Sequence, residues 1–330
     1  VADGERPTMA DVARIAGVSP ALVSIVMRGV PGASESTRTR IKSIAEGIGY
    51  VPDRRAQKLR QASSRLLGVT FDVQQPFHGD LVEHIYAAAG RHEYDVMLSA
   101  VAPSRTENSA VQALLRERCE ALIVIGSRLD ASELAEFASR TPIVEVLRSS
   151  GGDGIGSVRS DDAAGTEAAV DHLVELGHAR IAHIDGGNSP GADDRRRGFA
   201  DAMHRHGLAE RVAAGGITET EGAEGMKALL ADGRRPTAVV AFNDNSATGV
   251  LDHLIRRGID VPGEISVVGY DDSRLARIAH IQLTSVSQDV EALADAAVTS
   301  ALSRIAGEVT SEVVLAPNLV VRATSGPPAP

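Results

Sequence analysis

One cysteine in 330 residues, Cys119, excludes an intrachain disulfide framework and fits a reducing compartment. It lies between Arg118 and Glu120, just before the apolar run Ala121-Leu122-Ile123-Val124-Ile125, so it reads as a buried, inert thiol and not as a nucleophile. No apolar run reaches the length of a membrane span. Val1 to Arg6 lacks the apolar stretch of a signal peptide. The expectation is a cytoplasmic protein with no membrane partner. Only Gly-Pro-Pro-Ala-Pro follows Ser325, so nothing suggests a helical tetramerisation tail. The ten histidines are scattered: His172, His178 and His183, or His204 and His206, lack a set of partner ligands. Neither a metal site nor a cofactor is expected.

What is present is ordinary globular material, 43% apolar and 24% charged, in a chain too long for one core, so two or three domains are expected. The net charge of −10 hides an asymmetry. Residues 1–60 hold 10 Lys+Arg against 6 Asp+Glu, whereas the remainder holds 24 against 38. A basic head on an acidic body concentrates any attraction for phosphate at one end.

The head repeats one device. Thr8 and Asp11 have capping-box spacing, and Val12, Ile15 and Ala16 then give one apolar helical face. Gly17 permits a left-handed turn, Ser19 caps a second helix, and Pro20 suits its first position. Val23 and Val26 face inward. Ser34 caps a third helix with the stripe Ile41, Ile44, Ala45 and Ile48. Three short helices sharing one small core leave the second free to lie in a major groove. A three-helix cap with no nucleic-acid role fits the same pattern. The next segment, Asp53-Arg54-Arg55-Ala56-Gln57-Lys58-Leu59-Arg60, favours DNA. It is basic and helix-permissive but too short to be stable alone, and Leu59 is placed to wedge open a minor-groove step.

This stretch resembles the lactose-repressor/galactose-repressor (LacI/GalR) family of bacterial transcription regulators. The residues that carry the resemblance are Thr8 to Met27, Gly32-Ala33-Ser34-Glu35-Ser36-Thr37-Arg38, Gly49-Tyr50-Val51-Pro52-Asp53 and Ala56-Gln57-Lys58-Leu59. It implies a homodimer on double-stranded, pseudopalindromic operator DNA. Thr8, Ser19, Pro20, Ala21, Leu22, Ser24, Ile25 and Arg28 would be the head's DNA-binding residues, and Arg55, Ala56 and Leu59 those of the hinge. The chain also departs from the family, which usually carries arginine where Ile25 stands and asparagine where Arg28 stands. Pro20 and Ala21 cannot make bidentate bonds to purines, although Ala21 and Ile25 can touch thymine methyls. The operator therefore differs from the family's common half-site, or the hinge and DNA shape carry more of the specificity.

From Arg65 strands and helices alternate. Strands are expected at 66–71, 95–101, 121–125, 142–147, 181–184, 238–242 and 265–269, with helices at 81–90, 109–118, 131–139, 166–176, 195–206 and 245–258. This predicts an α/β body of two parallel-sheet lobes, with a cleft at the carboxyl ends of the strands. The division expected is a helix-turn-helix domain at 1–52, a hinge at 53–64 and a body at 65–330. Lobe one would take about 65–162 and 287–320, and lobe two 163–286 and 321–330. The family resemblance continues through Leu176-Gly177-His178-Ala179-Arg180-Ile181-Ala182, Arg195-Arg196-Arg197-Gly198-Phe199 and Ala241-Phe242-Asn243-Asp244-Asn245. Its strongest match is Val261 to Asp272. The resemblance implies a periplasmic-binding-protein-like architecture and a small effector, often a sugar or nucleobase, held by Pro76, Phe77, Asp161, Arg195, Asn243 and Asp271. Those residue types suit paired hydroxyls and a sugar ring, the reading favoured for Arg195 and Asp271, although Asp161 and Asp271 can also cap the segments that follow and Phe77 can be core. The loop Ala102-Pro103-Ser104-Arg105 is a further candidate.

Two other functions fit parts of the sequence. For an enzyme, the adjacent carboxylates Asp161-Asp162, Asp193-Asp194 and Asp271-Asp272 would point to opposite faces of an extended segment, so none is an acid/base dyad. Gly152-Asp153-Gly154-Ile155-Gly156 has dinucleotide-loop spacing but precedes a strand instead of joining strand to helix. No catalytic residue is assigned. A sugar-binding protein of the same architecture, its DNA-binding role lost, would lack a use for the basic head.

Overall fold

The computed structural model describes residues 7–27, 29–50, 63–152 and 154–329. The assigned DNA residues Arg28, Arg55, Ala56 and Leu59, and nearly all of the expected hinge, lie outside the described residues. The chain divides between Ser64 and Arg65 into two units.

The first unit holds helices α1 (Met9–Ala16), α2 (Pro20–Met27) and α3 (Glu35–Gly47). The capping box forms as the sequence predicts: Thr8 Oγ1 accepts from the Asp11 N–H, and the Asp11 carboxylate accepts from the Thr8 N–H. Gly17 has φ +62°, a conformation that costs a residue with a Cβ, and α2 leaves α1 at 107°. The Ser19 hydroxyl accepts the Leu22 N–H at 3.3 Å, and Ser34 does the same for Thr37. Val12, Ala13, Ala16, Val23, Val26, Ile41, Ala45 and Tyr50 make the core.

The second unit contains two sheets. The first has the order β11-β5-β4-β3-β1-β2 and is wholly parallel, built from β1 (Leu66–Asp72), β2 (Asp95–Val101), β3 (Ala121–Ile125), β4 (Ile143–Val146), β5 (Ile155–Ser160) and β11 (Val313–Leu315). The second has the order β12-β10-β9-β8-β6-β7. Its strands are β6 (Ile181–Ile184), β7 (Val212–Ala213), β8 (Ala238–Ala241), β9 (Ser266–Asp271), β10 (Thr284–Ser287) and β12 (Asn318–Val320), the last antiparallel to β10. Helices α4 (Pro76–Arg91) and α11 (Val290–Ile305) share one core with the first sheet, and α5 (Glu107–Arg116) and α6 (Ala131–Ala138) share another. In the second lobe, α7 (Asp162–Glu175) and α8 (Ala192–Arg205) build one core, and α9 (Glu219–Ala231) and α10 (Asp244–Arg256) the other. Covering both faces explains why β3, β4, β6 and β8 are apolar throughout, with few polar exceptions, and not alternating.

The chain crosses between sheets after Ser160, after Ser287 and after Leu315. The first two crossings fall near the expected boundaries. The third corrects the sequence reading: Asn318–Val320 pairs with β10 and so belongs to the second sheet, not the first. Helix α9 also escaped the sequence reading, because Gly222 and Gly225 break its pattern. Gly222 is required by packing, since a Cβ there would stand 2.1 Å from the Ser246 carbonyl oxygen of α10.

Gly222→Ala is expected to destabilise the body. Helix propensity would return about 1 kcal/mol, but overpacking against a backbone atom costs about 1–3 kcal/mol. Urea unfolding would check this, and a stabilised variant would refute the close approach.

Candidate functional site

Both sheets reverse strand order beside their central strands, between β1 and β3 in one and between β6 and β8 in the other. Loops at the carboxyl ends of such strands diverge and leave a crevice. The cleft found there has a cavity volume of about 60 Å³, within about 540 Å³ of non-atom space that includes open solvent. Lobe one lines it with Asp72, Gln75, Phe77, His78, Gly126, Arg128 and Leu147; lobe two with Ser189, Pro190, Arg195, Ile217, Phe242, Asn243 and Asp271; Gln288 lies on the crossing segment.

Arg195 is the centre of the lobe-two wall. It sits in the first turn of α8 with its side chain 7% exposed. Its Nε donates to Asp162 Oδ1 at 2.8 Å and its Nη1 to the Phe242 carbonyl at 2.6 Å. The guanidinium carbon lies 3.5 Å from the Tyr270 ring centre and 4.6 Å from that of Phe242. Nη2 stands 3.7 Å from Asp271 Oδ1. Burial opposes the charge on Arg195, but Asp162, Tyr270 and Asp271 outweigh it and hold the group above its ordinary value. Burial also lifts the Asp162 carboxyl despite Arg195. A bond of 2.8 Å to a guanidinium that keeps its proton fixes the contact as an ion pair.

Asp271 ends β9 with φ +104°, and Leu147 follows β4 with φ +70°, both costly for residues with side chains. Burial, aided by the neighbouring Asp244, pushes the Asp271 carboxyl well above the usual carboxylate range, against the pull of Arg195. Gln288 Nε2 donates to Asp271 Oδ1 at 2.9 Å. Asp244 is itself fixed by Ser273 N and Oγ and by Ser285 Oγ, all within 2.8 Å.

On the lobe-one wall, α4 begins at Pro76, earlier than the expected Leu81, because proline is accepted at the first helical position. This brings Phe77 and His78 into its first turn, facing the cleft. His78 Nδ1 accepts the Asp72 N–H at 3.0 Å, so in the neutral ring the proton is on Nε2. Burial holds that ring neutral by pushing His78 down to about 3. Asn243 caps α10 through Oδ1 to the Ser246 N–H and directs Nδ2 to Ile217 O at 3.2 Å and Gln75 Oε1 at 3.4 Å. Arg274, three residues beyond Asp271, ties the lobes at the cleft's flank, bonding Asp80 at 2.8 Å and Glu83 at 2.6 Å.

The structure therefore brings Phe77, Arg195, Asn243 and Asp271 together. Pro76 starts α4 exposed and is not among the lining residues. Asp161 is also outside the cleft: its carboxylate caps α7 by accepting the Ala164 N–H, and Asp162 beside it makes the bond to Arg195. The loop 102–105 folds on itself, with Arg105 bonded to Ala100 O and Ser99 Oγ, and does not line the cleft. Sequence reasoning missed Asp162, His78, Arg128, Tyr270 and Gln288. Of the two roles the sequence offers Asp161, the structure shows the cap, and that role turns Asp162 towards Arg195.

In the head, Ser19, Pro20 and Ala21 are exposed at the start of α2, and Thr8 flanks α1. Ser24 and Ile25 are half-buried. Leu22 packs partly into the head core, which limits what it can offer to a base. No single helix among the described residues is long and apolar enough to cross a membrane.

A capped helix-turn-helix and a two-lobed cleft with a fixed cation define a ligand-binding DNA-binding regulator. Residues 8–53 match the model for bacterial regulatory proteins of the lacI family, and residues 170–325 match that of a periplasmic binding protein-like domain. The HTH-type transcriptional regulator GalR of Escherichia coli (strain K12) is 35% identical over 325 residues, covering 96% of this chain and 94% of that protein. The HTH-type transcriptional repressor CytR of the same strain is 30% identical over 289 residues, 85% of this chain and 84% of its own. Among solved structures, a LacI transcriptional regulator from a Rhodococcus species is 63% identical with a TM-score of 0.80, covering 80% of this chain and all of that one. The lac repressor dimer bound to operator and the anti-inducer ONPF is 29% identical with a TM-score of 0.84, covering 98% of this chain and all of its own. The chain belongs to the lacI family of bacterial transcription regulators, and these relatives are regulators, not enzymes.

Two outcomes test the site and the core behind it, where His183 is buried in β6 and bonds the Val240 carbonyl. Asp162→Asn strands the Arg195 charge in a buried pocket and should cost about 3–5 kcal/mol in urea unfolding. Acid should also weaken the body. His78 and His183 are pushed by burial to about 3 and about 4, so each stays neutral in the folded state while the unfolded chain protonates below its ordinary value of 6.5. Their contribution is present above pH 6.5 and lost as pH falls towards 4, at up to ~1.4 kcal/mol per pH unit for each group. His183→Gln should flatten that part of the stability profile, and an unchanged slope would count against the assignment.

Proposed function

We propose that this chain is a cytoplasmic, ligand-responsive repressor that binds a pseudopalindromic operator as a homodimer. A small polyhydroxylated effector, a sugar or sugar derivative, would control it from the cleft. Residues 1–52 would read the operator, 53–64 would form the hinge, and 65–330 would bind the effector and the second copy. The observation that carries this reading is the origin of the cleft wall: Phe77 and His78 come from one lobe, Arg195, Asn243 and Asp271 from the other. A ligand held by both has different contacts in open and closed arrangements, which is the condition for shifting their equilibrium. A solved relative captured as a dimer on operator supports the dimer, and a CelR–cellobiose complex, 27% identical with a TM-score of 0.72 and covering 97% of this chain and all of that one, supports a sugar. No dyad, metal or cofactor chemistry is required of the cleft; it binds.

The division of labour is testable by operator titration across salt. Neutralising about 6–10 phosphates should cost roughly 10³–10⁵ in affinity between 50 and 200 mM salt. Asp271→Asn, which keeps the size and a Gln288 acceptor, should weaken the effector response while sparing effector-free operator binding. Leu59→Ala should do the reverse, weakening operator affinity with effector affinity kept. Equal losses in both activities from either variant would refute the separation, and no duplex preference at any salt would remove the regulator reading.

A further inference from the structure

Several hydrogen-bond donors of residues that line the cleft have no acceptor among the described residues. Arg128 lines it from the loop after β3 and is exposed. Its guanidinium makes no hydrogen bond or ion pair among the described residues, although its backbone is anchored. The Arg128 N–H donates to Glu107 Oε2 at 2.8 Å. Arg148 Nη1 donates to Ser127 O at 2.8 Å and to Leu129 O at 3.1 Å, on either side. The loop is thus pinned while the charged end is left unpaired.

Three further donors face the same space. Gln75 Nε2 is buried without a partner among the described residues. His78 presents Nε2–H because its Nδ1 is already accepting. Arg195 Nη2 has only the 3.7 Å approach to Asp271, its Nε and Nη1 being spent. The acids that could answer are partly engaged: Asp271, whose carboxyl is pushed well above the usual range by burial, accepts from Gln288 on Oδ1, and Asp72 Oδ1 accepts the Gln74 N–H. A neutral sugar brings a donor with every hydroxyl acceptor, whereas a carboxylate or phosphate brings acceptors alone.

We propose that the effector is an anionic sugar, a polyhydroxylated ring carrying a carboxylate or a phosphate, and that Arg128 reads its charge. This rests on the cleft being the effector site. Arg195, balanced by Asp162, orients the ring, and Arg128 meets the acid group with its fork of donors.

The test is calorimetric titration of the full chain at fixed ionic strength with glucuronate, galacturonate, glucose 6-phosphate, glucose and galactose. An acidic ligand should bind at least about tenfold more tightly than its neutral counterpart. The uronate and phosphate arms distinguish the two acid groups. Arg128→Gln should reduce that preference to about twofold or less, and Arg128→Lys should restore part of it. Equal ligand-free melting of the variants checks folding. A preference for neutral sugars, or an acid preference that survives Arg128→Gln, overturns the charge reading. The cleft reading then stands if Asp271→Asn still weakens binding with ligand-free melting unchanged. Failure of every ligand to bind overturns both readings.

Discussion

The Arg195–Asp162 ion pair is the contact on which the cleft depends. A buried guanidinium is stable only when its charge and its flat faces are all engaged, and here Asp162, the Phe242 carbonyl, Phe242 and Tyr270 supply those partners. These partners come from three places: the first turn of α7, the residue after β8 and the end of β9. One side chain therefore sets the relative positions of three strand or helix ends. It also leaves its remaining nitrogen towards Asp271, so the interaction that organises the wall is the one that presents a donor to the cleft.

Lobe one is arranged differently. Its wall is set by backbone: Pro76 starts α4, the Asp72 N–H fixes the tautomer of His78, and Glu107 and Arg148 pin the loop carrying Arg128. Among the described residues the lobes meet through few polar contacts: Gln75 with Asn243, the Gln74 carbonyl with Asn245, Arg274 with Asp80 and Glu83, and Arg159 with Asp194. Two of these are long at 3.4 Å, Arg274 is a side chain 73% exposed, and the Arg159–Asp194 pair is loose at 3.7 Å. Exposed pairs contribute little, about 0–1 kcal/mol. The lobes are each rigid through their cores but weakly tied across the cleft, so a ligand contacting both walls can dominate their angle.

Much of the fold was legible because its signals are local. Capping at Thr8, Ser19 and Ser34 and the turn at Gly17 need only neighbouring residues, and buried parallel strands such as Ala121–Ile125 are apolar throughout. What failed depended on distant partners. Gly222 is demanded by Ser246 of another helix, and Asn318–Val320 joins the second sheet only because β10 offers an edge. In the site, Arg195 and Asp271 were legible as a donor fork and an acceptor at strand and helix ends. Asp161 and Asp162 were not separable by residue type: one residue at a helix start decides which carboxylate caps and which turns inward. Arg128 had no signal at all, since an unpaired arginine in a loop has the same local sequence whether it faces solvent or a cleft.

The backbone at Asp271 links these threads. A positive φ on a residue with a Cβ persists only when its surroundings over-determine it. Here the over-determination is visible: the Asp244 carboxylate holds Ser273 N and Oγ, Ser285 Oγ donates to the same carboxylate and accepts the Asp272 N–H, and Arg322 and Arg277 hold the Asp272 carboxylate. Arg274 extends from this fixed turn to α4 of lobe one. The turn that aims Asp271 into the cleft thus also carries a tie between the lobes, so a ligand engaging Asp271 acts on a segment whose other end already reaches the opposite lobe.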